Sequence, residues 1–156
     1  MNQMRRRTFK AGGGAGLLAV LAAAGIVLPG ELLAADWNKA AFEGKTTQDA
    51  LKALGAASPA NSSDIVIRAA DIAENGAVVP VGVESKIPGT QSISILIDKN
   101  PNALAASFDL PAGTEPSVTT RVKMGQTSDV YALVKADGKF YVAKKEIKVT
   151  LGGCGG

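Results

Sequence analysis

Residues 79–97 read VPVGVESKIPGTQSISILI, and the spacing of their apolar side chains indicates the fold class. Valine recurs at every second position before the Pro88-Gly89 pair, and isoleucine does so after it. Successive side chains of a strand point to opposite faces, so a period of two indicates a strand with one face in the core. A Pro-Gly pair between two such runs indicates a turn. This stretch therefore predicts two β-strands joined by a short connection.

The same alternation continues over most of the chain beyond residue 64. Further segments of this kind occupy residues 65–69, 106–110, 118–124, 129–136 and 139–150. Asp137-Gly138 joins the last two segments, which is typical of a two-residue hairpin. About seven short strands separated by turns predict an all-β fold, an immunoglobulin-like antiparallel β-sandwich. A single cysteine excludes the inter-sheet disulfide of antibody domains, so burial alone must hold the core together.

One short helix is expected before the strands. Thr47 is placed to cap the run QDALKALG, which Gly55 ends. The strand faces opposite the main alternation are unusually apolar. A partner subunit that covers one sheet would account for this. The alternative is that the strands of the sandwich are simply buried unevenly. The residues concerned are Val66, Val78, Leu96, Tyr131 and Leu133.

The first 35 residues have the features of a cleavable export signal. A basic segment precedes an apolar, glycine-rich stretch at residues 11–28, and small residues follow at Ala34 and Ala35. The glycines make a stable transmembrane anchor the weaker interpretation. Arg6-Arg7 is followed by Thr8-Phe9-Lys10, which resembles the twin-arginine pattern without its usual leucine. We therefore expect residues 1–35 to be a twin-arginine-type signal peptide and the mature protein to be periplasmic.

Charge and composition narrow the functions open to residues 36–151, the predicted helix-plus-sandwich domain. The 17 basic residues include four in the first ten positions, and from residue 36 onward 13 basic side chains balance 13 acidic ones. This near-neutral balance argues against a nucleic-acid surface. The chain has no histidine, which removes the usual general base and the commonest metal ligand. We therefore expect neither a metal site nor a catalytic residue.

The sole cysteine, Cys154, stands in the sequence GGCGG at residues 152–156. Glycines have no side chain to pack and cost much entropy to fix, so Gly152, Gly153, Gly155 and Gly156 predict a mobile arm. An intrachain disulfide is impossible, and one sulfur without histidine is a poor metal site. With a reference pKa of about 8.5 the thiol is available but not activated. We therefore predict that Cys154 is a covalent attachment point whose activation comes from the pocket that receives the arm.

The GGCGG arm, the twin-arginine-like leader and the small β-domain between them resemble the SoxY family, the substrate carriers of the periplasmic sulfur-oxidising multienzyme system. The stretches DIAENGAVVPVGVES, IPG and KNPNALAASFDL are also similar to that family. The resemblance implies that Cys154 carries inorganic sulfur, as a cysteine S-thiosulfonate and then a persulfide-type adduct, during oxidation of thiosulfate to sulfate. It implies that the carrier is not an enzyme and holds no cofactor of its own.

The same resemblance implies a set of partners. SoxZ, a small sandwich protein without its own signal, would form the heterodimer and be exported with the folded carrier. The c-type haem enzyme SoxAX would load the thiol, the dimanganese hydrolase SoxB would release sulfate, and the molybdenum-haem enzyme SoxCD would oxidise the remaining sulfane sulfur.

Two other functions fit parts of the sequence. A ubiquitin-like sulfur carrier would use the Gly155-Gly156 carboxylate, but it needs ATP and leaves the cysteine unexplained. A structural or adhesive sandwich module would use Cys154 for an intermolecular disulfide. Intact-mass measurement distinguishes the carrier, the ubiquitin-like protein and the disulfide-linked module.

Overall fold

Two β-sheets and two short helices make up residues 38–150, the part of the chain that the computed structural model describes. The helices are α1 (Lys39–Glu43) and α2 (Thr47–Ala53). The strands are β1 (Ala60–Asn61), β2 (Ile65–Arg68), β3 (Ile72–Ala73), β4 (Val79–Ser85), β5 (Thr90–Ile97), β6 (Leu104–Asp109), β7 (Ser117–Val122), β8 (Ser128–Ala136) and β9 (Lys139–Val149). The larger sheet has the order β1-β9-β8-β5-β6, with β3 also paired to β9, and the smaller has the order β2-β4-β7.

The predicted immunoglobulin-like sandwich is confirmed, and its seven predicted strands correspond to β2 and β4 to β9. All pairings among these seven strands are antiparallel. The two further strands, β1 and β3, have two residues each and lie parallel to β9. Two residues are too few to show an alternating pattern, which is why the sequence does not reveal them.

The main core lies between the two sheets and follows the alternation seen in the sequence. Valines of β4 face isoleucines of β5 and small apolar side chains of β8, all at or near zero exposure. These positions are Val79, Val81, Val83, Ile93, Ile95, Ile97, Val130, Ala132 and Val134. Full burial of one such Val or Ile side chain is worth about 1.5–3 kcal/mol, so this layer makes a large contribution to stability.

The turn between β8 and β9 also agrees with the sequence prediction. Asp137 and Gly138 have φ angles of 48° and 74°, and they connect the paired residues Ala136 and Lys139. Positive φ at both central positions is the geometry of a type I′ turn, which suits the right-handed twist of the strands.

A second apolar cluster lies on the outer face of the larger sheet. The chain's own helices cover it, so the expectation that a partner subunit covers this face is corrected. Leu96 and Leu133 are 0% and 3% exposed because α1 and α2 of the same chain pack over them. Tyr131 packs against this cluster too. The apolar residues at these positions are thus explained by the chain's own N-terminal helices. Val66 is half-buried elsewhere, and Val78 is 49% exposed.

The cap of α2 lies one residue earlier than predicted. Thr46 is the N-cap, and its Oγ1 accepts a hydrogen bond from Asp49 N at 3.1 Å. Thr47 is buried instead, and its hydroxyl donates to Asp98 Oδ1 at 2.7 Å, which ties the helix to the end of β5. Gly55 has a φ of 78° directly after the helix, so its predicted role as the stop is confirmed.

Helix α1 was not predicted because it is only five residues long and has no repeating apolar stripe. Asn38 caps it by accepting from Ala41 N at 3.1 Å, and Asn38 Nδ2 donates to Ala53 O at 3.0 Å. A single side chain thus starts one helix and holds the end of the next.

Replacing Leu51 with alanine tests whether α2 covers the larger sheet. Leu51 is 5% exposed in the outer cluster, so Leu51→Ala should lower the free energy of unfolding by about 2–4 kcal/mol, through lost burial and a residual cavity. Urea denaturation of the mature protein measures this. Leu54→Ala is the matched control because Leu54 is only partly buried, and its loss should be smaller. Equal losses for the two variants would contradict this packing.

Candidate functional site

The residues predicted to carry function lie outside the described part of the chain. These are Cys154, the arm residues Gly152, Gly153, Gly155 and Gly156, and the export-signal residues Arg6 and Arg7. The structure does describe the surface from which the arm leaves the sandwich. We call this surface, made of residues 71–78, 123–127 and 148–150, the arm root.

The last strand is held on both sides up to its final residues. On one side β3 runs parallel to it, with Lys148 N donating to Asp71 O at 2.9 Å and Thr150 N donating to Ala73 O at 3.1 Å. On the other side Val149 N donates to Thr127 Oγ1 at 3.0 Å. Since the backbone N–H groups of residues 148–150 all have partners, the chain is fixed as far as Thr150.

Gly76 allows a close approach between three parts of the arm root. Its carbonyl accepts from Met124 N at 2.7 Å. A Cβ atom at this position would lie 2.4 Å from Met124 O and 2.8 Å from Val149 Cγ1. Only glycine fits this distance to a backbone carbonyl without a shift of the chain. Sequence reasoning missed this role, since a lone glycine in a loop carries no signal of what packs against it.

Lys145 closes the flank of the sandwich beside the arm root. Its Nζ lies 2.9 Å from Asp71 Oδ1 and donates to Ala69 O at 2.6 Å. The gap between β1 and β3 leaves this part of the edge of β9 without a strand partner. An inward-pointing lysine at such an edge discourages pairing with another chain. It also holds the segment that leads into β3.

Two large apolar side chains are exposed at the arm root. Ile72 is 55% exposed and Val78 is 49% exposed, and both belong to the segment that packs against the end of β9. The exposed charges nearby are of both signs, Glu74 with Lys123 and Lys148. The exposed side chains of the arm root therefore include two large apolar ones and charges of both signs.

Two clefts lined by described residues lie at the other end of the sandwich. The larger, of about 810 Å³, lies between residues 85–91, residues 110–116 and Asp137. The smaller lies beside Gly55 and Phe140. Asp137 precedes the start of β9, and the 11 residues of that strand span roughly 35 Å. Cys154 follows Thr150 by four residues, a reach of at most about 14 Å, so neither cleft can receive it.

Two ion pairs on the surface of the described sandwich shift the pKa values of their side chains. The side-chain hydrogen bond from Arg68, helped by its charge, lowers the pKa of Glu84, and Glu84 raises the pKa of Arg68. Asp129 raises the pKa of Lys144 in the same way, across a 3.2 Å contact. Exposed pairs of this kind contribute little to stability. They lie on the sheets, and each of these shifts follows from a simple ion pair.

Residues 38–150 show neither a cluster of metal-binding side chains nor a membrane-spanning helix. No group of three or more Cys, Asp or Glu side chains in that range could hold a metal ion. Neither of the two helices there is long and apolar enough to cross a membrane.

The chain is similar to a known protein family and to solved structures. The profile of the family "Sulfur oxidation protein SoxY" matches residues 50–154, more than half of the chain, and the match extends to Cys154. The sulfur carrier protein SoxY from Chlorobium limicola f thiosulfatophilum is similar at 41% identity and a TM-score of 0.58, over 66% of this chain and 96% of that one.

A more distant similarity concerns the fold alone. The superoxide reductase (neelaredoxin) from Ignicoccus hospitalis shares 20% identity at a TM-score of 0.50, over 55% of this chain and 79% of that one. Among curated proteins, none matches this sequence.

Substitution of Gly76 by alanine tests the packing of the arm root. The new methyl group would collide with Met124 O, so Gly76→Ala should cost about 1–3 kcal/mol of stability and speed hydrogen exchange at the amides of Val149 and Thr150. Gly125→Ala is the control, since a Cβ there meets nothing within 4 Å. Denaturation and exchange measured by NMR report the two effects. Unchanged exchange at Thr150 in Gly76→Ala would show that Gly76 does not support the arm root.

Proposed function

From the premise that this chain belongs to the SoxY family of sulfur oxidation proteins, we propose that it is a sulfur carrier that holds its cargo covalently on Cys154. One observation carries the proposal: β9 is held up to Thr150, and the only thiol follows within about 14 Å on a glycine-flanked segment. A fixed base with a short thin arm can present one atom to many partners.

The carrier needs enzymes elsewhere because it cannot activate its own thiol. At a reference pKa of about 8.5 only a few per cent of a free thiol is thiolate near neutrality. The two clefts at the start of β9 are beyond the reach of Cys154. Activation and bond making therefore belong to the pocket that the arm enters, and the chain itself is a substrate-carrier subunit and not an enzyme.

The proposed cargo chemistry balances in four steps. The Cys154 thiolate joins the outer sulfur of thiosulfate, and two electrons pass to the haems of a c-type enzyme. Water then cleaves the S-thiosulfonate to give sulfate, two protons and a cysteine persulfide. The molybdenum-haem enzyme then removes six electrons from the sulfane sulfur while three waters supply its oxygens, which gives a cysteine S-sulfonate and six protons. A second hydrolysis frees the second sulfate with two protons and regenerates the thiolate.

The proposed partners and compartment follow from family membership together with the leader. SoxZ is the heterodimer partner, and SoxAX, SoxB and SoxCD dock in turn on the complex. Arg6 and Arg7 direct export of the folded complex to the periplasm by the twin-arginine route. In an oxidising compartment, an exposed thiol without a function would tend to form unwanted disulfides. An exposed cysteine there is consistent with continual loading of the thiol with sulfur cargo.

Replacing Cys154 with serine tests the attachment site. Cys154→Ser keeps the size of the side chain but removes the sulfur nucleophile, so loading with thiosulfate should be abolished while the melting temperature stays unchanged. Mass analysis of the C-terminal peptide, before and after reductant, measures loading of the complex incubated with the haem enzyme and thiosulfate.

Three results would contradict the proposed function. A wild-type peptide without reductant-sensitive sulfur would exclude the carrier. A Cys154-linked homodimer as the sole native form would favour the structural module, and a modified Gly156 carboxylate would favour the ubiquitin-like protein.

The glycines of the arm provide a graded test of how it enters its partners. Gly153→Val adds a branched side chain that stiffens and thickens the arm, so turnover in a reconstituted thiosulfate-oxidising system should fall about tenfold or more, while unfolding of the complex is unaffected. Gly153→Ala, the smaller change, should lie between the valine variant and the wild type. Wild-type turnover by Gly153→Val, or by the equivalent change at Gly155, would contradict a narrow entrance.

A further inference from the structure

Asn75 and Gly76 are the only Asn-Gly pair in the sequence, and they lie in the turn that leads from β3 to β4. In such a pair the main-chain nitrogen of glycine can attack the side-chain carbonyl carbon of asparagine, because glycine has no side chain to hinder the approach. The attack closes a five-membered succinimide ring, a reaction that makes asparagine a thermolabile residue. The turn thus holds the residue types for a spontaneous covalent change that does not involve Cys154.

The conformation of the turn brings the two reacting atoms together. Asn75 is exposed, and its Oδ1 accepts a hydrogen bond from Ala77 N at 2.9 Å, which is the Asx-turn arrangement. This hydrogen bond folds the side chain of Asn75 back along the peptide of Gly76, so Asn75 Cγ and Gly76 N belong to one hydrogen-bonded ring. Among residues 38–150 no group accepts a hydrogen bond from Gly76 N, so nothing there holds the attacking nitrogen away from Cγ.

The backbone of Asn75 is only weakly held against the rotation that ring closure requires. The rotation is about its Cα–C bond, and it moves the carbonyl oxygen of Asn75. That oxygen accepts from Val78 N at 3.3 Å, which is longer than the usual range of about 2.7–3.2 Å for an N–H···O hydrogen bond. Ring closure therefore breaks a weak contact.

The reaction balances with water as its only co-reactant. The bond between Gly76 N and Asn75 Cγ forms, the bond between Cγ and Nδ2 breaks, and Nδ2 leaves as ammonia with the proton of the Gly76 amide. Water then opens the ring at one of its two carbonyls, and no electrons are transferred. Opening at Cγ gives aspartate. Opening at the main-chain carbonyl gives isoaspartate, in which Cβ has become part of the main chain.

The two products differ in what they do to the arm root. Isoaspartate lengthens the main chain by one carbon–carbon bond, about 1.5 Å. Gly76 O accepts from Met124 N at 2.7 Å, and a Cβ on Gly76 would lie 2.8 Å from Val149 Cγ1. Packing this close does not absorb a longer chain without losing these contacts. Aspartate keeps both the length of the main chain and the Oδ1 acceptor, so it keeps the packing.

We infer that Asn75-Gly76 is a deamidation site whose isoaspartyl product separates the segment of residues 71–78 from Met124 and from the end of β9. The same segment also holds Thr150, whose backbone N–H donates to Ala73 O at 3.1 Å. Conversion to isoaspartate therefore loosens the arm root, and conversion to aspartate leaves it intact. The inference is independent of the cargo that Cys154 carries.

Tryptic mapping of the purified protein kept in mildly alkaline buffer tests the site. Trypsin places Asn75, Asn61 and Asn102 in three different peptides, and all three asparagines are exposed. Asn61 and Asn102 are the internal controls, because serine and alanine follow them. Asn75 should convert at least tenfold faster than either, and labelling by an isoaspartyl methyltransferase distinguishes isoaspartate from aspartate. Conversion of Asn75 at the rate of the controls, or without isoaspartate, would overturn the inference.

Hydrogen exchange measured by NMR tests the effect on the arm root. In the isoaspartyl fraction the amide of Met124 should exchange at least tenfold faster than in the unmodified protein, because its acceptor is Gly76 O. Freshly prepared Asn75→Asp is the matched control, since it adds the same charge without lengthening the chain, and its Met124 amide should exchange at the wild-type rate. Wild-type exchange in the isoaspartyl fraction, or equally fast exchange in Asn75→Asp, would overturn the inference. Neither measurement involves sulfur loading, so the carrier function stands or falls separately.

Discussion

The hydrogen bonding of β9 up to Thr150 is the constraint on which the rest of the structure depends. This strand pairs with β8 along its length on one side and with β1 and β3 on the other. It is thus part of the sheet core and also the base of the arm. A base that frayed by a few residues would lengthen the reach of Cys154 by about 3.3–3.6 Å per residue and blur the position from which it starts. The short parallel strand β3 and the hydroxyl of Thr127 hold the end of β9 and oppose this fraying.

The sandwich could be predicted because its core obeys one rule throughout. In β4, β5 and β8 the residues of the main core recur with a period of two, and the Asp137-Gly138 turn fixes the register of the last hairpin. The outer face of the larger sheet departs from that rule, because Leu96 and Leu133 are buried on the side that a two-layer sandwich leaves to solvent. The sequence shows that these residues need cover, but it does not show whether another chain or this one supplies it. Helix α1 is too short to reveal the answer.

For the candidate site, the sequence predicts one part and only the structure shows the other. Composition alone predicts Cys154 as the attachment point, because a single thiol between glycines in a chain without histidine leaves few other chemistries. The arm root could not be predicted in that way. The role of Gly76 depends on Met124 and Val149, which are far from it in sequence, and β3 depends on register with a strand more than 70 residues later. Contacts of that kind are set by tertiary packing and not by a local pattern.

A carrier must let its cargo enter the pockets of enzymes and must also limit the entropy lost when the cargo is held there. The thin glycine arm serves the first requirement and the fixed arm root serves the second. Under the proposed function the cargo enters pockets of several enzymes, which favours an arm without side chains, yet each residue added to the arm raises the entropy lost when the thiol is held in one pocket. An arm of few residues limits that cost, but it also brings the body of the carrier against each enzyme. Glycines offer a partner only backbone to recognise, so an arm of this composition leaves recognition to the body of the carrier around Thr150.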